Sequence, residues 1–426
     1  MAKPVMQATI GAAIVAGYLV SVYYQVTLME TDDLTIWLRR NWKYVVLAAG
    51  VLAVLYLLLF HNLFGLTGNK YSPVEVASQQ QSNSLKTILH DPVNAPYKLW
   101  VWSGLKLGHH SVLVTRLAAA ICALPLAILF YWTARRWFSR PASLLGALMF
   151  VTSSGALHAS RFGSPMVLQL APFVVTACIF LYRKTTHGNI IVYLSALFFC
   201  GLLYIPGMVW FALIEAALLW RRFGVAFKKL GMVHVGILLS MCLLLLAPLA
   251  WRSMQDLSIL REILGLPSAI PQFSAVLGEA KHLLASVVYR GYWPTDYWLH
   301  GAPLLNLAEV VLCLTGLLYV WRRPIEKGAY YLTLGLLLCG FLVTLRGSVT
   351  IALLVPLLYL LITAGIELLG RDWFKTFPRN PFARILGAVL VVVLVAFSIT
   401  YQLRAYFIAW PNAPETKAVY HVEQPS

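Results

Sequence analysis

The chain has 426 residues, 60% of them hydrophobic and only 12% charged, with a mean hydropathy of +0.75. That composition excludes an ordinary soluble domain: runs such as "VVLAAGVLAVLYLLLF" and "ILGAVLVVVLVAF" approach the ~20 residues that cross a bilayer as a helix. The net charge of +17 does not point to nucleic acid, because Lys and Arg cluster in short stretches between apolar runs, where they read as topology signals.

Taken in chain order, apolar runs of about 20 residues predict about twelve spans. They lie near 8–28, 44–61, 115–134, 142–160, 166–182, 190–205, 207–220, 231–250, 304–321, 329–345, 349–368 and 384–401. The first has one Lys before it and no small-residue cleavage site after it, so it reads as a retained span rather than a signal peptide. Pro206 and Gly207 make the turn between two of the later spans. No short alternating strands suggest a closed barrel. The expected fold is an all-α polytopic membrane protein, one integral-membrane domain over residues 1–426.

Orientation follows from charge. Of the 33 Lys and Arg, 19 fall in six short loops, including "WLRRNWK", "ARRWFSR" and "GRDWFKTFPRNPFAR". That side is expected to be cytoplasmic. Arg39, Arg135, Arg222, Arg322 and Arg379 then face inward and Lys86 and Arg290 outward, with both termini outside a plasma (inner) membrane. Two long outward loops result, 62–114 and 251–303, followed by an outer tail, 402–426. Loops of this length are usually functional. Each carries apolar residues at helical spacing: Leu85, Ile88 and Leu89 in the first, and Ala280, Leu283, Leu284, Val287 and Val288 in the second. Both patterns predict amphipathic helices lying along the interface, with Trp100 and Trp102 at headgroup level.

The six cysteines fall inside predicted spans and form no C-x-x-C pair, so neither a zinc site nor a disulfide framework is implied. His109 and His110 are adjacent, which is poor spacing for chelating one metal. There is no G-x-x-x-x-G-K-[ST] phosphate loop and no internal repeat, which argues against ATP-driven transport and weakens a transporter or flippase of lipid-linked sugars. Glu215, Glu309 and Glu367 lie within or near span ends, and an intramembrane carboxylate is a functional hypothesis by default.

The polar stretch "HASRFGSP" interrupts this apolar chain. Its Arg161 sits at a helix end, where it could bind a phosphate bidentately or snorkel to the headgroups; His158, three residues earlier, shares its face. Four features occur in order: Pro96-Tyr97, Thr115-Arg116, Ala134-Arg135-Arg136-Trp137-Phe138, and Ser160-Arg161 with Pro165. With the later "PLLNLAEVVLCLTGLLYVWRR", this order and spacing resemble the glycosyltransferase-C superfamily, particularly the bacterial relatives of protein O-mannosyltransferases and of lipid A aminoarabinose transferases.

The resemblance implies transfer of a sugar from a polyprenyl-phosphate carrier at the outer face, within the cell envelope. Arg161 and Arg346 are then expected to hold the carrier phosphate, with His158, Tyr97 and Asp296 nearby in the substrate site. The family's acidic pair in the first outer loop matches "SPVEVAS", where Val74 replaces an Asp and Glu75 remains. The base is therefore expected to be Glu75 or Asp91, or the chain is a non-catalytic member that binds lipid or a partner membrane protein. Each carboxylate also has a plain structural reading, Glu75 as an early acidic residue of a helix and Asp91 as a turn residue before Pro92. No cofactor is required; a divalent cation at the phosphate is left open.

Overall fold

The computed structural model describes residues 42, 50–63, 65–68, 70–108, 111–172, 188–269, 271–291, 294–323 and 327–422. The expected span at 8–28, most of the run at 166–182, and His109 and His110 lie outside them. The chain divides into two compact units, Met1–His61 and Asn62–Ser426. Within the first, α1 covers Gly50–Phe60.

The second unit begins with three short helices of the first long loop: α2 (Pro73–Gln80), α3 (Leu85–His90) and α4 (Ala95–Lys106). Then come α5 (Leu113–Trp137), α6 (Arg140–Thr152), α7 (Ser154–Arg161) and a 3-10 turn, Pro165–Leu170. They are followed by α8 (Gly188–Leu202), α9 (Met208–Leu230), α10 (Met232–Gln255), α11 (Leu257–Ile263) and α12 (Phe273–Val288). The last set is α13 (Leu307–Arg322), α14 (Lys327–Thr344), α15 (Leu354–Thr376), α16 (Pro381–Arg404), a π-turn at Ala405–Ala409, α17 (Trp410–Asn412) and α18 (Pro414–Val419).

The chain is a helical membrane protein. Among the described residues, four helices are long and apolar enough to cross a membrane, or five if the bent pair α6 and α7 forms one span. The expected span at 142–160 is thus a helix broken by 55° at Ser153. Several other expected spans form apolar helices under the spanning length, including Val192–Leu202 and Gly328–Thr344. Helices form at both amphipathic stretches of the long loops: α3 buries Ile88 and exposes Leu89, and α12 buries Leu283 and Val287 while exposing Leu284 and Val288. The helix expected to end near 401 runs on through the π-turn to Asn412.

Helix α15 is the axis of this unit. Over Leu354–Ile366 it is almost wholly apolar and buried, as expected for a helix surrounded by others, while its last turns carry Glu367, Arg371, Asp372 and Lys375 toward the surface. Small residues set how closely its neighbours approach. A Cβ on Gly316 of α13 would strike the Leu361 carbonyl, one on Gly365 would strike the Leu312 carbonyl, and one on Gly146 of α6 would strike Thr363. Backbone cannot yield as a side-chain tip can, so the helices would have to separate. Gly365→Val is expected to lower stability by about 1–3 kcal/mol, read as a fall in Tm in detergent. An unchanged Tm would mean that α13 and α15 slide past one another freely.

The break at Ser153 is locked by a polar knot. Ser153 caps α7 by accepting from Ala156 N, while its hydroxyl donates to the Phe150 carbonyl at 2.7 Å. The freed Ser154 N–H donates to Gln402 Oε1 at 3.1 Å. Gln402 Nε2 donates to Glu309 Oε2 at 2.6 Å, and Tyr359 and Ser398 hydroxyls donate to Glu309 Oε1 at 2.7 and 2.8 Å. Glu309 also closes a capping box with Asn306. A broken helix survives inside a membrane only where its freed backbone groups find partners in this way.

Candidate functional site

Six of the eight residues of "HASRFGSP" have an identifiable task. His158 is enclosed by Trp298, Tyr406 and Trp410, with ring centroids 5.1, 4.7 and 4.8 Å away. Arg161 Nε donates to Tyr406 Oη at 3.1 Å, and its guanidinium lies 5.6 and 5.1 Å from the Tyr406 and Phe407 ring centroids. Helix α7 ends when Phe162 N donates to the His158 carbonyl. Gly163 N then donates to Glu75 Oε1 at 3.0 Å, and any Cβ there would collide with Thr115 Oγ1. Ser164 caps the 3-10 turn, which Pro165 starts.

Glu75 sits opposite, fully buried, in α2. Ser72 and Glu75 form a capping box, which fixes the carboxylate beside the backbone of its own helix start. Arg116 reaches it from α5 with a bidentate fork, Nε to Oε1 at 2.7 Å and Nη2 to Oε2 at 2.8 Å. The remaining guanidinium bonds go to the carbonyls of Leu63 and Lys70. Glu75 therefore accepts four hydrogen bonds: two from Arg116, one from Ser72 N and one from Gly163 N. Its geometry is that of a structural clamp between the first long loop, α5 and the end of α7, rather than of a base turned toward an acceptor. Val74, beside it in sequence, is 46% exposed on the other face of α2.

Between these groups lies a narrow cavity of about 10 Å³, room for about one water. Its walls include Glu75, Arg116, His158, Arg161, Tyr406 and Tyr420. Among the lining residues two guanidiniums meet one carboxylate, which leaves the pocket cationic. The rest of its lining is largely aromatic and aliphatic, the usual make-up of a small-molecule site with a few placed polar groups.

Asp296, in the second long loop, stands at the edge of this group. Its backbone carbonyl accepts from Tyr420 Oη at 2.6 Å. Burial pushes its carboxyl above the usual carboxylate range, against the opposing pull of its own backbone amide and with a further push from the charge of Glu75.

Other expected site residues fall elsewhere. Arg346 is 73% exposed, with a left-handed φ of 50°, and pairs with Glu279 of α12 at 2.7 Å; it does not line the pocket with Arg161. Asp91 pairs with the buried Lys98 at 2.6 Å, beside the small core of Val93, Ile259 and Ile263 that joins the two long loops. Tyr97 is core: its hydroxyl donates to the Thr115 carbonyl at 3.1 Å. Among the described residues no cluster of three or more His, Cys, Asp or Glu could hold a metal ion.

Arg116 is the main residue missed in the sequence as a site member. Its signal was a charge inside an apolar helix, which demands a partner. The contributions of Tyr406, Trp410 and Tyr420 had no sequence signal, because their approach depends on the π-turn and the return of the chain after it.

No family model and no curated protein sequence matches the chain. Among solved structures it is similar to the crystal structure of ArnT from Cupriavidus metallidurans bound to undecaprenyl phosphate, with a TM-score of 0.46 and 14% identity over 89% of this chain and 77% of that one.

Proposed function

We propose that the pocket receives the phosphate of a polyprenyl-phosphate-linked sugar and that the chain is a membrane glycosyltransferase acting at the outer face. The observation that carries this reading is the placement of Arg161 and Arg116 in one aromatic-walled pocket at the end of a broken membrane helix. A guanidinium is suited to a leaving phosphate, since it is always charged and presents a planar fork of donors. In transfer, the acceptor's hydroxyl or amine attacks the sugar's anomeric carbon, and the carbon–oxygen bond to the carrier phosphate breaks. The electron pair leaves with the phosphate toward Arg161. Asp296, partly buried and next to Ser72 and Glu75, is the carboxylate best placed to take the acceptor's proton.

A second reading, a non-catalytic lipid-binding member or partner subunit, is favoured by one observation: Glu75 and Asp91 are both held in ion pairs. Both readings require binding of the carrier. The full chain in nanodiscs is expected to bind undecaprenyl phosphate in native mass spectrometry; absence of binding would overturn both. Release or transfer of sugar from a polyprenyl-phosphate-linked sugar then separates them.

Asp296→Asn supplies a prediction with opposite signs for stability and turnover. Because its folded pKa is raised, the unfolded chain ionises first. Stability contributed by the group is present below the unfolded value of ~3.9 and is lost as pH rises through the folded value. Asn carries no charge at any pH. The variant is therefore expected to have a higher Tm than the parent at neutral pH, with the gain gone near pH 3.5–4, and turnover ~10²-fold lower. Equal turnover would remove Asp296 as the base. Orientation is tested separately by cysteine labelling at positions 86 and 379, which is expected from opposite sides of the membrane.

A further inference from the structure

We infer that residues 413–422 form a displaceable strap that closes the pocket and must part from the first long loop before a ligand's head group can enter. This rests on the reading of the pocket as an anion site, and it concerns how that site is regulated.

The pocket is shut in this structure. Glu75, Arg116, His158 and Arg161 are all 3% exposed or less, so a charged head group cannot reach them without movement of a wall. Many walls belong to packed helices: α2, α5, α7 and the π-turn at the end of α16. Two walls differ: the turn that carries Leu63, Leu66 and Thr67, and the segment that carries Tyr420. Tyr420 belongs to the stretch after α17, which turns back through the short helix α18 and lies across both long loops.

Its attachments can be counted. Tyr71 N donates to the Val422 carbonyl at 3.0 Å and Val422 N to the Tyr71 carbonyl at 3.3 Å, an isolated antiparallel bridge. Tyr420 Oη donates to the Asp296 carbonyl, and its ring meets Trp410 edge-on at 5.7 Å. A single bridge of this kind has none of the cooperativity of a sheet or long helix. The buried hydroxyl of Thr416 has no hydrogen-bond partner, so this seal is imperfectly satisfied.

The same bridge bears directly on the cationic groups. Tyr71 and Tyr420 place their rings 5.0 and 5.8 Å from the Arg116 guanidinium carbon. Their ring faces supply a weak negative field to that cation while the strap is closed. A phosphate offers a full charge in exchange, so a ligand that draws on Arg116 and Arg161 favours the parted state by differential affinity.

The test locks the strap and then loosens it. In a hydrogen-bonded antiparallel pair the Cα atoms are ~5.5 Å apart, within disulfide reach. Tyr71→Cys with Val422→Cys, oxidised in the full chain and confirmed by peptide mapping, is expected to slow binding of undecaprenyl phosphate ~10-fold or more, with recovery on reduction. Val422→Pro, which removes one bridge donor, is expected to speed binding several-fold. Equal on-rates for the oxidised and reduced double variant would overturn the strap. Hydrogen exchange gives a readout that needs no ligand: amides of 413–422 in the parent are expected to exchange well before those of α15, and equal protection would also overturn it. Should the parent bind no polyprenyl phosphate, the functional reading fails while the exchange result still decides whether the strap opens.

Discussion

Glu75→Gln is expected to lower the stability of the fold by about 3–5 kcal/mol, the range found when one partner of a buried ion pair is removed. The Arg116 guanidinium would remain 3% exposed with its countercharge gone, and Gln would replace an acceptor of the bidentate fork with a donor. With total stabilities of about 5–15 kcal/mol, such a loss should appear as a large fall in Tm and poor recovery from detergent. Replacing both partners together, Glu75→Leu with Arg116→Met, should cost much less, because no charge is stranded. A Glu75→Gln protein that melts like the parent yet fails to transfer sugar would restore Glu75 as the base and displace the clamp described above.

Arg161→Ala is expected to weaken binding of undecaprenyl phosphate ~10–100-fold, the equivalent of a charge-assisted contact of about 1.5–3 kcal/mol. Arg161→Lys should recover only part of this, because an ammonium lacks the planar fork. Tyr406→Phe removes the hydroxyl that accepts from Arg161 Nε but keeps the ring against it, so a smaller loss is expected. Native mass spectrometry or thermal shift with added lipid reads all three. Unchanged binding in Arg161→Ala would show that the guanidinium supports the local structure around Tyr406 and Phe407 rather than a carrier phosphate.

These expectations differ from those drawn from sequence alone in instructive ways. The helical membrane class was legible because apolar length is a one-dimensional property. The two amphipathic segments in the loops were legible for the same reason, since Ile88, Leu283 and Val287 fall on a helical period. The prominence of Arg161 was legible because a cation in an apolar chain demands explanation. Its partners were not. Tyr406 lies 245 residues further on, and Glu75 reaches Gly163 across 88 residues. Periodicity carries no information about contacts at such separations. Arg161 and Arg346 were paired through the resemblance, which expects a second basic contact near the carrier phosphate; in the fold Arg346 pairs with Glu279 on a helix of the second loop. Glu75 was read as a candidate base because it matches the remaining member of the acidic pair that the resemblance expects; its capping box and its fork with Arg116 only become visible once α2 and α5 meet.

The polar knot around Glu309 bears on how the chain is assembled. Its members come from α7, α13, α15 and α16, and the last of these supplies both Ser398 and Gln402. Until α16 arrives, Glu309 lacks two of its donors and the Ser154 amide at the helix break has no acceptor. The bonds at the helix break are therefore completed only when α16 joins the bundle, so a chain lacking α16 is expected to leave Glu309 and the Ser154 amide short of partners that the finished fold supplies.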